Sequence, residues 1–432
     1  DRQVIDLTAL AASDGFIIQG HAGVTEYSGY QTGFSVSEAG DVNGDGFADL
    51  IVGAPRANGG GSDSGEAYVV FGKASGFGTT VNAGGFDRQV IDLTGLSPSD
   101  GFIIQGDTAN DGAGVSVSSA GDVNGDGLAD LIVGAQRGDD GGNGAGEAYV
   151  VFGTRSGLPV VDLTFLSDLA GFIIQGDTEG DAAGRSVSAA GDVNGDGFGD
   201  LIVGAAYGDD GGDRAGEAYV VFGKASGFGI LVPTETGTSR EVLDLTTLSA
   251  ADGFIIQGDT AGDFAGASVS TAGDVNGDGF DDLIVGARSG DDGGAFAGEA
   301  YVVFGKSSGF GVTVNTDGFD RQVIDLTTLS AADGFIIQGD MTVEYAGYTV
   351  SSAGDVNGDG FADLFVGAGE QFLDDPGLVF IVFGKASGFG ETVNSGGFDR
   401  QVIDLTTLSA ADGFIIQGDT AGDFPSLRVS DA

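Results

Sequence analysis

The chain has 432 residues, enough for one large domain or several ordinary ones. It carries 65 acidic against 16 basic residues, a net charge of −49, which disfavours nucleic acid as a partner because phosphate binding requires lysine and arginine. The absence of cysteine excludes disulfides and thiolate metal sites. No apolar run approaches the roughly 20 residues of a membrane helix. Hydrophobic residues make up 41% of the chain and fall in short regular runs, so we expect a folded protein.

Four strand-like runs recur in a fixed order along the chain, and we name them A, B, C and D. A D-type run at residues 15–20 comes first. In the first complete unit, A is residues 34–37, B is Asp49–Ala54, C is residues 66–71 and D is residues 101–106. The runs are rich in Val, Ile, Phe and Tyr and are bounded by Gly, Asp and Ser, which is the pattern of short β-strands.

A nine-residue acidic loop separates A from B in every complete unit. The five copies begin at residues 41, 122, 192, 274 and 355, and positions 1, 3, 5 and 9 are Asp, Asn, Asp and Asp. Oxygen ligands at this spacing are what a hard cation such as calcium requires. Position 12, where an EF-hand needs glutamate, is valine in each copy and falls within strand B. The pattern therefore predicts a calcium loop in a β-hairpin and not an EF-hand.

The connection between C and D is long in every unit but the second. It carries a recurring Val-Ile-Asp-Leu-Thr segment, and Asp-Arg-Gln-Val-Ile-Asp-Leu-Thr occurs four times, including residues 1–8. We expect this connection to be an enlarged loop. The repeat boundaries that follow are an N-terminal D-type segment at 1–32, repeats at 33–106, 114–176, 184–258, 266–339 and 347–418, and the start of a sixth repeat at 419–432, all in one propeller domain.

Four antiparallel strands per repeat predict an all-β fold, a β-propeller with five complete blades and a partial sixth formed by the terminal strands. The chain opens with a D-type run at 15–20 and closes with an A-type run at 427–430. Two interpretations follow. The terminal strands share a mixed sixth blade that closes the ring, or the chain is a piece of a longer array whose end blades are incomplete.

The combination of Gly-Asp-Val-Asn-Gly-Asp-Gly, Asp-Leu-Ile-Val-Gly-Ala and Tyr-Val-Val-Phe-Gly resembles the FG-GAP repeat of integrin α-subunit propellers and their bacterial relatives. The resemblance covers nearly the whole chain. It implies calcium in the A–B hairpin, on the face opposite the usual ligand-binding face, and a role in extracellular adhesion and recognition. The chain departs from the seven blades of that family in blade count and in its long C–D connections.

The spacing and the resemblance together assign four side-chain ligands and one backbone carbonyl, at position 7, to each loop. The expected ligands are Asp41, Asn43, Asp45, Phe47 and Asp49; Asp122, Asn124, Asp126, Leu128 and Asp130; Asp192, Asn194, Asp196, Phe198 and Asp200; Asp274, Asn276, Asp278, Phe280 and Asp282; and Asp355, Asn357, Asp359, Phe361 and Asp363. An acidic turn without metal is the alternative, and mutual repulsion of three convergent carboxylates argues against it. Five Ca²⁺ ions are therefore expected as structural cofactors that pin each A–B hairpin.

The sequence favours a non-catalytic, calcium-stabilised protein of the cell surface or extracellular space. A single histidine and no cysteine leave almost no material for the usual nucleophilic triads. The fifth unit breaks the repeat at 370–376, and we expect Glu370, Asp374 and Glu344 to cluster opposite the metals as a protein- or glycan-binding patch. The alternatives are a polysaccharide-cleaving enzyme on the same scaffold and a surface filament or layer joined through the terminal strands. Neither nucleic-acid binding nor membrane insertion is expected.

Overall fold

The computed structural model describes residues 7, 10–21, 29–83, 85–156, 160–233, 239–316, 318–339, 345–369, 377–395 and 397–418. These residues form an all-β structure whose only helices are single 3₁₀ turns, at Leu93–Gly95, Leu163–Phe165, Leu245–Thr247, Leu326–Thr328 and Leu405–Thr407. In the part of the chain that the structure describes, no helix has the length and apolarity to cross a bilayer.

The four predicted strand types are present in each complete unit. The A strands are Val36–Gly40, Ser116–Gly121, Ser186–Gly191, Ala265–Gly273 and Ala346–Gly354. The B strands are Asp49–Ala54, Asp130–Ala135, Asp200–Ala205, Asp282–Ala287 and Asp363–Ala368. The C strands are Glu66–Val70, Glu147–Val151, Glu217–Val221, Glu299–Val303 and Leu378–Val382. The D strands are Ile17–Gln19, which precedes unit 1, and then Gly101–Gln105, Gly171–Gln175, Gly253–Gln257, Gly334–Gln338 and Gly413–Gln417.

Strands A, B, C and D of each unit pair in that spatial order as one antiparallel sheet. In unit 3, Tyr219 of strand C lies opposite Val203 of B on one side and Ile255 of D on the other. In units 2, 3 and 4, strands B and C are buried along their whole length, because both faces of the sheet are covered by neighbouring sheets. This explains why their sequences are continuous apolar runs, where a half-exposed strand would alternate between apolar and polar residues.

The long C–D connection contains strands, which corrects its interpretation as a loop. Its Val-Ile-Asp segment lies parallel to the D strand of the preceding unit and extends that sheet outward. We call this the insertion strand. The described residues include five copies, at Phe86–Asp92, Val160–Asp162, Ser239–Asp244, Phe319–Asp325 and Phe398–Asp404. Four of them pair on their far side with an antiparallel strand, at Thr79–Ala83, Ile230–Pro233, Val312–Thr316 and Glu391–Ser395. Each unit thus contributes strands to the sheet of its predecessor.

The sheets of consecutive units pack face to face around one axis. Apolar side chains of neighbouring sheets form shared clusters, such as the one that joins Ile202 and Val220 to Val285 and Tyr301. The Gly-Ala ending of strand B serves this packing, because a Cβ at Gly204 would overlap the carbonyl oxygen of Gly266 in the next unit. These radial sheets have the arrangement of propeller blades.

The A strands line the axis and are hydrogen-bonded to one another through serine hydroxyls. Each hydroxyl accepts a bond from the backbone N–H of a valine in the next A strand. The pairs are Val117 to Ser35 at 3.1 Å, and Val187 to Ser116, Val269 to Ser186 and Val350 to Ser268, each at 3.0 Å. A cavity of about 390 Å³ lies among the A strands of all five units. The array therefore curves around a common centre.

The two ends of the array expose surfaces that are buried between its inner units. At the first unit, Val36 is 55% exposed, whereas Val117 at the equivalent position of the second is 4% exposed. At the fifth unit, Val356 is 50% exposed, against 0% for Val275 in the fourth. The A-type run at 427–430, which the ring-closure hypothesis pairs with the D-type run at 15–20, lies outside the described residues.

Candidate metal centres

Each nine-residue loop is held by hydrogen bonds from its own backbone to its predicted ligands. In unit 3, Asp192 accepts bonds from the N–H groups of Gly195, Asp196 and Gly197 at 2.8, 3.0 and 2.9 Å. Asn194 Oδ1 accepts the Asp196 N–H at 2.8 Å. Gly195 and Gly197 have φ of 74° and 91°, a backbone region that side chains disfavour, which is why glycine occupies positions 4 and 6.

The aspartate at position 9 of each loop is buried and holds the loop in place through two hydrogen bonds from the backbone. Asp200 is fully buried, and its two carboxylate oxygens accept bonds from Val193 N–H at 3.0 Å and Gly223 N–H at 2.8 Å. Gly223 follows strand C, so this carboxylate ties the loop to the end of that strand. The same pair of bonds occurs at Asp49, Asp130, Asp282 and Asp363.

In each loop, the aspartates at positions 1 and 5 are close enough to the buried aspartate at position 9 to affect its pKa. Burial raises the pKa of Asp200 to about 7; the charges of Asp196 and Asp192 act in the same direction, and its two backbone bonds oppose the shift. Burial likewise raises the pKa of Asp282 to about 8, with Asp278 and Asp274 contributing. A divalent cation would relieve this repulsion. The donor set, three carboxylates, one amide and one carbonyl, consists wholly of oxygen and fits calcium.

The predicted ligands lie where the sequence places them, at the turn between strands A and B. The side chain at position 7 has a second role that spacing alone did not reveal. In three units this side chain is a phenylalanine that packs over the glycine at position 4 of the preceding loop. A Cβ on that glycine would overlap the phenylalanine ring. The contacts are Phe198 on Gly125, Phe280 on Gly195 and Phe361 on Gly277. The metal loops are therefore part of the contact between neighbouring sheets.

Backbone hydrogen bonds also connect successive loops. Lys224, which follows strand C of unit 3, donates its backbone N–H to the carbonyl of Val123 in the unit 2 loop at 2.9 Å. Gly199 N–H donates to the carbonyl of Asp122 at 3.0 Å. A cation that orders one loop would in this way also order the edge of the next sheet.

A second type of acidic cluster occurs away from these loops, at the B–C and D–A turns. Within the described ranges, three carboxylates come within 4.8 Å of one another in three places, and none of the three is a nine-residue loop. The clusters are Asp107, Asp111 and Glu147; Asp177, Asp210 and Glu217; and Asp259, Asp292 and Glu299. Two of the clusters include one acid of a Gly-Asp-Asp-Gly-Gly turn, Asp210 or Asp292, which is exposed, whereas Glu217 and Glu299 beside them are buried.

Arginines of the insertion strands enter two of these clusters. Arg321, from the insertion strand of unit 4, contacts Asp177 at 3.4 Å and Asp210 at 3.0 Å, and only 5% of its side chain is exposed. Arg400 contacts Asp259 at 3.5 Å and also Asp292. Both arginines belong to Asp-Arg-Gln-Val-Ile-Asp segments, so the recurring arginine was the sequence signal for this contact.

Glu217 makes the stability of the metal-free protein depend on pH. Burial, followed by the charge of Asp177, raises its pKa to about 8. Between its unfolded pKa of about 4.3 and about 8 the folded state therefore binds more protons, so stability falls as pH rises. We expect urea denaturation in EGTA, followed by circular dichroism, to show this decline between pH 5 and pH 9.

Glu217→Gln tests whether this carboxyl causes the decline. The variant should show a pH dependence reduced by at least about 1.4 kcal/mol, the value of one pKa unit. Asp213→Asn, an exposed acid of the neighbouring turn, is the control and should keep the original slope. Greater stability at pH 8 than at pH 5 in the unaltered metal-free protein would contradict the assignment.

The comparisons with known proteins find a known repeat at each of the five units that the structure shows. The family model described as FG-GAP repeat matches residues 34–70, 113–151, 183–221, 265–303 and 346–382. Each match begins at or just before strand A and ends with strand C, so it includes one metal loop.

Integrin alpha pat-2 of Caenorhabditis elegans is 28% identical over 279 residues, 61% of this chain and 18% of that protein. Integrin alpha-V of Gallus gallus is 28% identical over 261 residues, 59% of this chain and 20% of that protein. Phosphatidylinositol-glycan-specific phospholipase D of Bos taurus is 32% identical over 197 residues, 45% of this chain and 21% of that protein. The similarity thus spans about a fifth of each relative's length. With five matches of the repeat model in register with five sheets, the chain belongs to the FG-GAP repeat family, with integrin alpha subunits among its relatives.

Proposed function

We propose that this protein is a calcium-stabilised, non-catalytic adhesion or structural protein of the extracellular space or cell surface. The observation that carries the proposal is the nine-residue loop, which presents an all-oxygen donor set five times at the contact between consecutive sheets. The similarity to integrin alpha subunits supports the adhesive role. In this proposal Asp, Asn and the position 7 carbonyl of each loop hold one Ca²⁺, which supplies only countercharge.

Calcium contributes to stability here by removing an electrostatic cost that the loops carry. The buried ninth aspartate is destabilised by its neighbours at positions 1 and 5, as the raised pKa of Asp130 shows; burial is the main cause, and the charges of Asp126 and Asp122 add to it. Folding brings these carboxylates together, so binding of a cation is coupled to folding. A protein exposed to extracellular calcium would keep its sites filled and its sheets joined.

We expect calorimetric titration of the decalcified protein to show five Ca²⁺ per chain, one for each loop. Calcium at about 100 times its dissociation constant should stabilise the fold by about 2.7 kcal/mol per site, and excess EGTA should lower the melting temperature correspondingly. Asp196→Ala should reduce the stoichiometry to four, whereas Asp213→Ala, an exposed acid outside the loops, should leave it at five. An unchanged melting curve in EGTA would refute the role of calcium.

The partner in this proposal is a protein or glycan bound on the face opposite the metal loops. Glu370, Asp374 and Glu344 remain our predicted binding patch and lie outside the described residues. Screening the calcium-loaded protein against immobilised matrix proteins and glycans, followed by alanine replacement of the three acids, tests the patch. Self-association through the ends of the array is the competing mode, and sedimentation in the same buffer would reveal it.

An enzymatic role is the second candidate, because a phospholipase D is among the relatives. The described residues offer acidic clusters for such chemistry, among them Asp107, Asp111 and Glu147. Two of the three clusters already contain an arginine, which favours a structural role for them. Incubation of the calcium-loaded protein with glycosylated phosphatidylinositol and with acidic polysaccharides, with mass-spectrometric detection of products, would reveal turnover and overturn the non-catalytic part of the proposal.

A further inference from the structure

The cavity of about 390 Å³ among the A strands carries positive charge, although the chain is strongly acidic. The residues that border it lie near the starts of the A strands or just after the B strands, whereas the metal loops follow the ends of the A strands. The chain contains 65 acidic residues, yet none of the described residues that border the cavity is acidic. Two of them are arginines, Arg185 and Arg288.

Two positions of the repeat that contribute to this cavity are occupied by a different residue in every unit. Strand D, by contrast, reads Gly-Phe-Ile-Ile-Gln throughout. The first position precedes the serine or threonine at the start of strand A, and the second follows the Gly-Ala ending of strand B. The residues are Phe34, Val115, Arg185, Ala267 and Tyr348 at the first position, and Pro55, Gln136, Ala206, Arg288 and Gly369 at the second. Arginine occurs at the first position only in unit 3 and at the second only in unit 4, so one side of the cavity is basic.

Arg185 is half-buried and is held by neutral partners. Its Cζ lies 5.5 Å from the centre of the Tyr207 ring. Its Nη1 donates to Gln136 Oε1 at 3.3 Å and to the Tyr207 hydroxyl at 3.5 Å. A ring that contacts the face of a guanidinium leaves the N–H groups at the guanidinium edge available. The hydrogen bonds described for Arg185 come from Nη1, so the N–H groups of Nε and Nη2 remain for a ligand.

Arg288 is also half-buried and lies against aromatic rings of two units. Its Cζ is 5.2 Å from the ring centre of Phe264 and 5.8 Å from that of Tyr348. The Phe264 ring meets the Tyr207 ring edge-on, with the ring centres 5.8 Å apart. This pair of rings connects the surroundings of the two arginines, which therefore belong to one site.

These two arginines differ from those of the insertion strands, since Arg240, Arg321 and Arg400 each form an ion pair with aspartate. Within the described ranges no ion pair includes Arg185 or Arg288. Two like charges that border one cavity repel each other, and an anion bound there would remove the repulsion. The net charge of −49 repels a multiply charged anion more than a singly charged one, so the favoured ligand carries one negative charge.

We propose that this cavity binds a small organic carboxylate through Arg185 and Arg288. The planar fork of a guanidinium matches the two oxygens of a carboxylate. Sites for small molecules have volumes of about 300–1,000 Å³, and this cavity lies in that range. Gln136 and Thr349 border the same space and supply hydrogen bonds for polar groups of the ligand. The site goes beyond the proposed function, because it requires neither the metal loops nor a macromolecular partner.

Calorimetric titration of the calcium-loaded full chain with two matched pairs of probes tests the proposal. The pairs are glucuronate with glucuronamide and benzoate with benzamide, and each amide replaces the charged group of its partner by a neutral one. At low ionic strength at least one carboxylate should bind once per chain with a Kd of about 1 mM or tighter, and about tenfold or more tightly than its amide. Equal binding of carboxylate and amide would overturn the proposal, as would the failure of both carboxylates to bind.

Variants locate the binding site, with circular dichroism to show that each is folded. Arg185→Gln and Arg288→Gln should each weaken carboxylate binding about tenfold or more, because glutamine lacks the charge. Arg214→Gln replaces an exposed arginine outside the cavity and should leave the affinity unchanged. Asp196→Ala, which removes a predicted calcium ligand at the other end of strand A, should also leave it unchanged, so the calcium proposal and this one fail separately. Loss of carboxylate binding in Asp196→Ala, with full binding in both arginine variants, would assign the ligand to a bound calcium and overturn the proposal.

Discussion

Replacing Asp200 by alanine is expected to lower the free energy of unfolding by about 3–5 kcal/mol, even without calcium. The carboxylate is fully buried, and its two oxygens accept the N–H groups of Val193 and Gly223. Alanine leaves both donors buried and unpaired, at about 1–3 kcal/mol each, and adds a small cavity. Urea denaturation in EGTA at pH 6 measures the loss. At that pH, below the Asp200 pKa of about 7, the cost of burying a charge does not mask it.

Two further variants separate the hydrogen bonds that Asp200 accepts from its predicted role as a calcium ligand. Asp196→Ala removes an exposed carboxylate that accepts only the Phe198 N–H, so without calcium it should cost less than about 1 kcal/mol, yet it should weaken calcium binding at that loop. Asp200→Asn keeps one acceptor oxygen and should fall between the alanine variant and the unaltered protein. If the free energy of unfolding of Asp200→Ala in EGTA is within about 1 kcal/mol of that of the unaltered protein, Asp200 does not hold the loop to the end of strand C.

The sequence predicted the repeated sheet well because its signals are local. Strand B of unit 1 occupies Asp49–Ala54, as expected, since a short apolar run between an acidic turn and a glycine leaves few alternatives. Strand A begins at Val36 and not at residue 34, because Phe34 instead closes a turn through a bond from its N–H to the carbonyl of Gln31. The family assignment was confirmed for the same reason, since loop and strand recur together.

The insertion strand escaped prediction because its partner belongs to another unit. Val-Ile-Asp is only three paired residues long, and its D-strand partner lies 66 positions away in the case of Val402 and Ile336 (402 − 336 = 66). The arginine two positions before the valine was visible in four of the five copies, but the acidic partners of Arg400 come from two further units. Strand pairing and ion pairing of this kind depend on how sheets stack, which a single repeat does not encode.

The insertion strands hold consecutive units together, because each unit contributes strands to the sheet of its predecessor. A sheet that carries its neighbour's strand cannot separate from it without breaking ladder hydrogen bonds as well as apolar contacts. The metal loops join the same neighbours at the A–B turns, through contacts such as Phe280 on Gly195. The free energy of unfolding of such an array is approximately the sum of the stabilities of the individual sheets and the energies of the contacts between neighbouring sheets. The metal loops and the insertion strands therefore reinforce the same set of contacts at different positions along each sheet.

Replacing Arg400 by methionine is expected to destabilise the protein by about 3–5 kcal/mol and to loosen the edge of the unit 4 sheet. Arg400 lies in the insertion strand Phe398–Asp404, contacts Asp259 at 3.5 Å and also contacts Asp292. The side chains of Arg400 and Asp259 are only 6% and 5% exposed. Removing one member of a buried pair leaves the other charge uncompensated, which is the costly outcome. Hydrogen exchange at the amides of Gly334–Gln338, which the insertion strand covers, should accelerate at least tenfold.

The chain offers a matched control in an exposed pair of the same unit. Lys385 contacts Asp412 at 2.8 Å, but 28% and 37% of these side chains are exposed, so Lys385→Met should cost no more than about 1 kcal/mol and leave exchange at Gly334–Gln338 unchanged. Adding Asp259→Asn to Arg400→Met should restore part of the lost stability, because it removes the uncompensated carboxylate. Equal effects of Arg400→Met and Lys385→Met would show that the arginine is no more than a surface contact. A selective effect of Arg400→Met would establish that unit 5 is fastened to its predecessor by a charge carried on its insertion strand.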